Sequence, residues 1–153
     1  MASTLCLLLA CSLAATSALT LTGDEVFVIS PTEPQSVALA LGDVLREVYL
    51  VLGRRPLGLA APPALGALPA NTTLVLLGTL DAAPWLTSLF PSVAADCASG
   101  WEAHCVLVTP SAGGVPGYPR AIVATGAGAR GAMYGAFAFS ETVLGTNPWQ
   151  HYR

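Results

Sequence analysis

The 153-residue sequence has no lysine, only two histidines and few charged residues of any kind. Its six basic residues are all arginines, against nine acidic ones, and the formal net charge is −3. This composition lacks the basic patch that is typical of nucleic-acid binding. Because His104 and His151 are the only histidines and the cysteine spacing matches no zinc pattern, we expect neither a metal site nor a cofactor.

The sequence also lacks an uninterrupted apolar stretch of membrane-spanning length after residue 18. Before that point, residues 5–13 form a short apolar run, and residues 16–18 are small. This arrangement predicts a secretory signal peptide over residues 1–18. We therefore expect a secreted, extracellular protein with no membrane contact after cleavage. The remainder is long enough for one domain at most, and more than half of all residues are hydrophobic, at 54%.

Secretion bears on two further features of the chain. Removal of the signal leaves Cys97 and Cys105, an even pair in an oxidising route, which favours a disulfide over two free thiols. Such a short closed loop is expected to stabilise the fold by about 2–3 kcal/mol in the chain-entropy model. Asn71 begins the sequence Asn-Thr-Thr, an N-glycosylation sequon, and so predicts an exposed turn.

Apolar patterns predict an α/β fold with the element order βα(β)βαββα. Strands are expected at residues 25–29, 74–77, 104–109 and 121–125, with an optional edge strand within residues 57–70. Helices are expected from residue 32 to 52, from 85 to 89 and from about 129, and residues 91–100 are expected to be a loop. The last two strands are expected to pair as a hairpin. The result is a mixed β-sheet with helices packed on it, an α/β sandwich.

Charged and apolar positions on the two longer helices lead to more specific expectations. Asp43, Arg46 and Glu47 lie off the apolar face of the first long helix and are expected to be solvated. Arg54 and Arg55 follow that helix, where positive charge suits the negative end of the helix dipole. The alternative for these arginines is recognition of the carboxylate of an acidic sugar, which bidentate arginine suits. The residues expected on the inward face of the last helix are Met133, Tyr134, Phe137, Glu141 and Leu144.

A glycine turn precedes the last helix. Gly126, Gly128 and Gly131 form G-x-G-x-x-G between a strand and a helix, which is the local setting of a dinucleotide-binding turn. That fold also requires a second parallel strand and an acidic residue about 20 residues further on. Only 22 residues follow Gly131, and they contain no strand-like run. The favoured interpretation is therefore close helix–strand packing, and nucleotide binding is the weaker alternative.

A set of dipeptides recurs at fixed spacings around this turn: Arg130-Gly131, Tyr134-Gly135, Ser140-Glu141 and Pro148-Trp149, preceded by Gly100-Trp101-Glu102. Their spacing resembles the N-terminal domain of glycoside hydrolase family 115, the xylan α-1,2-glucuronidases. That family shows a G-S-D-x-R-G turn, an I-Y-G-x-Y-x-x-S-E helix and then G-V-x-P-W leading into a catalytic barrel. The resemblance covers the last third of the chain well. Gly128 departs from it, because the family usually has aspartate at this position.

The resemblance implies a fold like the N-terminal domains of α-glucuronidases and hexosaminidases. It assigns residues 19–149 to this domain and residues 150–153 to the start of a linker to a catalytic barrel, which this chain lacks. In the family the glucuronic-acid site belongs mainly to the barrel, so we expect no catalytic residue here. The motif residues are expected to be structural or to face the barrel: Trp101, Glu102, Arg130, Gly131, Tyr134, Gly135, Ser140, Glu141, Pro148 and Trp149.

Three functions stay open at this point. The first is a secreted, non-catalytic domain of an α-glucuronidase-like hydrolase acting on glucuronoxylan, in a truncated protein or an incomplete gene model. The second is a free-standing accessory domain that binds a xylan-type polysaccharide, and the third is nucleotide binding. No carboxylate pair has the sequence context of a glycosidase acid and base. Whether the chain alone is an enzyme therefore stays open, and its expected partners are the barrel module and the polysaccharide.

Overall fold

The computed structural model describes residues 21–22, 24–61, 67–69, 72–98, 100, 102–109 and 120–146. The strands are β1 (Val26–Ile29), β2 (Leu57–Leu59), β3 (Thr73–Thr79), β4 (His104–Thr109) and β5 (Arg120–Gly126). The helices are α1 (Gln35–Leu52), α2 (Pro84–Leu89), α3 (Pro91–Cys97) and α4 (Ala129–Thr142). The signal peptide, Asn71, Trp101, Pro148, Trp149 and residues 150–153 are predictions that lie outside the described residues.

The five strands form one mixed sheet in the order β2-β1-β3-β5-β4, which confirms the predicted fold class. The first four strands of that order are parallel, and β4 pairs antiparallel with β5, from His104 opposite Gly126 to Thr109 opposite Ala121. Parallel strands are covered on both faces and therefore read as continuous apolar runs. Accordingly, every residue of β3 is buried.

Helices cover both faces of the sheet and create two cores. Alternate side chains of β1 show the division, because Phe27 packs with α1 and α4 whereas Val28 packs with α2 and α3. On the first face, the Phe27 and Phe139 rings meet edge to face with centroids 6.2 Å apart. α1, which follows β1, therefore lies on one face of the sheet, and α2 and α3, which follow β3, lie on the other.

The first long helix follows its sequence pattern closely. Val37, Leu41 and Val44 are buried at helical spacing, and the helix ends at Gly53, whose φ of 70° favours glycine. Glu47 corrects the expectation of a solvated residue, because it is only 4% exposed. Its Oε2 lies 3.2 Å from Thr146 Oγ1, beyond the end of α4. A buried carboxylate requires such partners, and this one joins α1 to the segment after α4.

Two expectations about helices are wrong. Residues 91–97 form α3 instead of a loop, with Pro91 in the first turn, where its missing N–H is tolerated. The inward face of α4 is also different from the one expected, since Tyr134 and Glu141 are exposed. Met133, Phe137 and Leu144 are half-buried. The residues that α4 buries are Gly131, Ala132, Gly135, Ala136, Phe139 and Ser140.

A disulfide joins Cys97, the last residue of α3, to Cys105 on β4, with Cα atoms 5.9 Å apart. This is the bridge that the sequence favours. It fastens the helices of one face to the antiparallel strand at the edge of the sheet. In the part of the chain that the structure describes, no helix is both long and apolar enough to span a membrane.

Candidate functional site

The glycines of the turn between β5 and α4 serve close packing. A Cβ on Gly126 would overlap the backbone of Gly131, and a Cβ on Gly131 would overlap the carbonyl oxygen of Ala103. One turn further along α4, a Cβ on Gly135 would lie 2.9 Å from the Thr125 carbonyl oxygen. Gly128, in contrast, has open space where its Cβ would be. The sequence is therefore glycine-rich here because the backbones of α4, β5 and the segment before β4 touch.

Charged and aromatic motif residues reinforce that contact. Arg130 Nη1 lies 3.4 Å from Glu102 Oε1, and the Tyr134 ring lies 6.1 Å from the His104 ring in an edge arrangement. The Ala127 N–H donates to the Ala103 carbonyl oxygen at 3.3 Å. Residues 102–104 and the first turns of α4 thus form one unit, which we call the α4–β4 contact. An exposed ion pair of this kind contributes only about 0–1 kcal/mol, so packing dominates.

The other two motif residues that the structure describes, Ser140 and Glu141, lie at the far end of α4. Ser140 is fully buried, and its carbonyl oxygen accepts a hydrogen bond from Thr146 N at 3.0 Å. Its Oγ has no hydrogen-bond partner among the described residues. Glu141 is exposed. The chain reversal after α4 is therefore held through the Ser140 backbone and the Thr146 hydroxyl, not through Glu141.

A cleft of about 350 Å³ lies at the carboxyl ends of the parallel strands. α1 leaves β1 on one face and α2 leaves β3 on the other, so the strand order reverses at this point, where ligands of open α/β sheets usually bind. The lining residues are Thr32, Pro34, Thr79, Asp81, Ala82, Gly128 and Ala129.

Glu33 lies beside this cleft and is the acidic group that sequence reasoning missed. Its Oε1 accepts the Thr79 N–H and its Oε2 accepts the Thr79 hydroxyl, both at 3.0 Å. Burial raises the pKa of Glu33, and the two bonds from Thr79 oppose this without cancelling it. Gly78, with a φ of 149°, leaves the room that the carboxylate occupies. The sequence feature that could have indicated this residue is the acidic side chain within Thr-Glu-Pro, immediately before α1.

A larger cavity, of about 670 Å³, lies at the opposite, amino-terminal edge of the sheet. Asp24 and Glu25 line it before β1, and Arg55 and Arg120 line it after α1 and at the start of β5. Arg54, the other arginine after α1, hydrogen-bonds Asp24 instead. We call this the arginine cavity. Sequence reasoning singled out Arg55 but not Arg120, because the two are 65 residues apart and meet only in the folded chain.

The acidic groups of these sites are few, and most of them already have partners. Within residues 21–146 as far as they are described, no group of three or more metal-binding side chains comes together. A glycosidase needs two carboxyl groups on either side of one bond, at separations set by its stereochemistry. Glu33 is held by Thr79, and the cleft lining adds only the carboxylate of Asp81. The class that the fold and these sites define is an α/β domain whose motif residues hold its own elements together.

Comparison with solved structures adds a related fold. The chain is similar to a family GH115 4-O-methyl-alpha-glucuronidase, BtGH115A, described as having specificity for decorated arabinogalactans. The TM-score is 0.62 with 19% sequence identity, over 86% of this chain and 15% of that enzyme. The chain therefore corresponds to a small part of the enzyme's length, and at this identity the likeness establishes the fold alone. No protein-family model and no curated protein matches the sequence.

Proposed function

We propose that this protein is a secreted, non-catalytic domain of α-glucuronidase-like glycoside hydrolases, of the kind that precedes the catalytic barrel in family 115. Its role is to pack against a catalytic module that removes glucuronic acid from a polysaccharide such as glucuronoxylan. By itself it does not cleave a glycosidic bond.

The observation that carries this proposal is the joint occurrence of fold and motif. The structural similarity extends over 86% of the chain. Independently, four of the motif residues taken from the sequence, Glu102, Arg130, Gly131 and Tyr134, lie together in the α4–β4 contact. Glu102 lies before β4 and the other three residues lie on α4, so two separate parts of the motif meet in the folded chain. Convergence supports a shared domain architecture.

Activity of the purified chain tests the proposal from one side. The chain is incubated with glucuronoxylan and with a decorated arabinogalactan, and free uronic acid is measured against an intact glucuronidase as positive control. We expect no release above that of heat-denatured chain, because the carboxylates that line the arginine cavity are already engaged: Asp24 with Arg54, and Glu25 with the Thr22 N–H. Sustained release of uronic acid by the 153-residue chain would refute the proposed non-catalytic role.

Variants in the α4–β4 contact test whether the domain packs against a catalytic module. Arg130→Gln and Tyr134→Phe change two partly exposed residues while leaving the glycine packing in place. If the α4–β4 contact faces a catalytic module, these variants fold as well as the original chain but bind a separately produced barrel module more weakly. Unchanged binding in both variants would place the interface elsewhere, and no binding by the unaltered chain would count against the packing role.

The accessory alternative, binding of a polysaccharide by this domain, has one specific observation in its favour, which is the arginine cavity. Nucleotide binding has the cleft lined by Gly128 in its favour, but Gly126 and Gly131 are occupied in packing and α4 is the last element among the described residues. A dinucleotide fold would require a further parallel strand there.

A further inference from the structure

The arginine cavity has the size and the polar lining of a ligand site. Its volume of about 670 Å³ falls within the range of small-molecule pockets, roughly 300–1,000 Å³. Thr22, Thr72 and Thr73 add hydroxyl groups to the charged side chains around it. Thr72 and Thr73 are buried, at 8% and 6% exposure.

Two arginines of this lining, Arg55 and Arg120, make no polar side-chain contact that stabilises the fold among the described residues. Arg54 bonds Asp24, and Arg130 contacts Glu102 on another side of the molecule. For Arg55 and Arg120, no hydrogen bond or ion pair is found in the described parts of the chain. Both side chains are exposed and border the same cavity. Planar guanidinium groups bind carboxylate oxygens through paired hydrogen bonds, so this pair is suited to an oxyanion.

The acids in the lining narrow the class of ligand. Glu25 is only 4% exposed and accepts the Thr22 N–H at 2.6 Å, and Asp24 is paired with Arg54. Arg54, which does not line the cavity, neutralises Asp24. Arg55, Arg120 and Glu25 together therefore leave one net positive charge, which balances a monoanion better than a phosphate dianion. Carboxylates and threonine hydroxyls are good partners for the hydroxyl groups of a polyol. The lining therefore suits a small molecule that has one carboxylate and several hydroxyl groups.

We infer that the arginine cavity binds an acidic sugar, with Arg55 and Arg120 holding its carboxylate and Glu25 and the threonines receiving its hydroxyl groups. The site lies on this domain itself, at the amino-terminal edge of the sheet. It is independent of the proposed packing against a catalytic module. Absence of sugar binding would leave that packing proposal standing, and failure of the packing proposal would leave this site standing.

Titration of the purified chain with sodium glucuronate tests the inference, followed by calorimetry or by chemical shifts. Glucose serves as the neutral probe and inorganic phosphate as the probe for a simple anion site. We expect saturable binding of glucuronate, weaker binding of both comparison probes, and a loss of at least about tenfold in affinity in Arg120→Gln, since a hydrogen bond to a charged group is lost. Arg55→Gln is expected to act in the same direction.

Arg46→Gln is the matched control, because Arg46 is exposed on α1 and does not line the cavity. It should bind glucuronate as the original chain does. The inference is overturned if glucuronate does not bind saturably, if both cavity variants retain full affinity, or if phosphate binds as tightly as glucuronate. Should Arg120→Gln fail to fold, Arg55→Gln alone decides between these outcomes.

Discussion

At the scale of single residues, glycine has two opposite roles in this chain. Gly131 lies where any side chain would strike the Ala103 carbonyl oxygen, whereas Gly42 lies on the exposed side of α1 with open space around it. The sequence alone shows glycine at both positions. It does not show that one is required by a close approach of two backbones and that the other is replaceable.

Replacement of these two glycines by alanine should therefore change stability in opposite directions. Gly131→Ala is expected to lower the free energy of unfolding by about 1–2 kcal/mol, because overpacking exceeds the gain in helix propensity. Gly42→Ala is expected to raise it by about 0.5–1 kcal/mol, because alanine is the better helix former and meets nothing. Urea denaturation of the two variants measures both changes, and a stabilised Gly131→Ala variant would contradict the packing described for α4.

Glu33 gives a residue-scale prediction about pH. Its pKa is raised in the folded chain by burial, so folding takes up a proton and disfavours the charged form. The sign follows from linkage: Glu33 contributes less stability as the pH rises through the ordinary glutamate pKa of about 4.3 and towards the higher folded value. Glu33→Gln removes this titration, so its stability relative to the original chain should increase from pH 4 to pH 7.

Thr79→Val provides the comparison for Glu33, because it removes the hydroxyl that donates to the carboxylate. Loss of that bond should raise the pKa of Glu33 further and widen the pH dependence. Urea denaturation midpoints at pH 4 and pH 7 for the three proteins measure the effect. A constant difference between Glu33→Gln and the original chain at both pH values would exclude the raised pKa.

At the scale of elements, the periodicity of apolar residues predicted the buried face of a helix correctly where that face consists of large side chains. It failed where the buried face consists of small ones. The buried face of α1 follows from Val37, Leu41 and Val44, whose spacing is visible in the sequence. The buried face of α4 is built largely from glycine and alanine, so a search for large apolar residues selected its flanks. The helix α3 was missed because Pro91 and Gly100 bound a stretch of mostly small residues, which is a pattern typical of loops.

Elements that are distant in sequence explain the remaining surprises. Glu47 looks solvated on its own helix, but in the folded chain it is buried and accepts a hydrogen bond from Thr146, which lies after α4. In the same way, the cavity that joins Arg55 to Arg120 exists only once β5 has entered the sheet beside β3. Local sequence patterns do not show contacts between residues that are distant in sequence. The disulfide was predictable because only two cysteines follow the predicted signal peptide.

The disulfide gives a prediction at this scale, since it links α3 to β4 at a sequence separation of 8. The double variant Cys97→Ala, Cys105→Ala is expected to lower the free energy of unfolding by about 2–3 kcal/mol, because the unfolded chain regains the entropy of an open loop. Denaturation of the variant and of the original chain with and without reductant checks this. Equal stability of oxidised and reduced original chain would contradict a stabilising bridge.

At the scale of the whole molecule, secretion is a proposal with its own test. Expression in a eukaryotic secretory host should give a protein in the medium that begins at residue 19. Its mass should fall on enzymatic removal of N-linked glycans, and Asn71→Gln should abolish that difference. N-terminal sequencing and intact mass measure the two features separately. Retention inside the cell with residues 1–18 still attached would count against an exported domain.

The described part of the chain is a mixed sheet with a packed helix layer on each face, and several motif residues join α4 to β5 and to the segment before β4. The α4–β4 contact, the reversal after α4 and the disulfide each fasten a different pair of elements. The arginine cavity and the cleft beside Glu33 are two cavities that the described residues form apart from these contacts.

The most direct measurement of the central claim is the activity of a chimera. Residues 19–149 replace the aligned segment of BtGH115A, and release of 4-O-methylglucuronic acid from a decorated arabinogalactan is compared with that of the intact enzyme and of a form lacking the segment. The account predicts that the chimera is soluble and active, whereas the shortened enzyme is insoluble or inactive. A folded, soluble chimera without activity, beside a shortened enzyme that retains full activity, would contradict it.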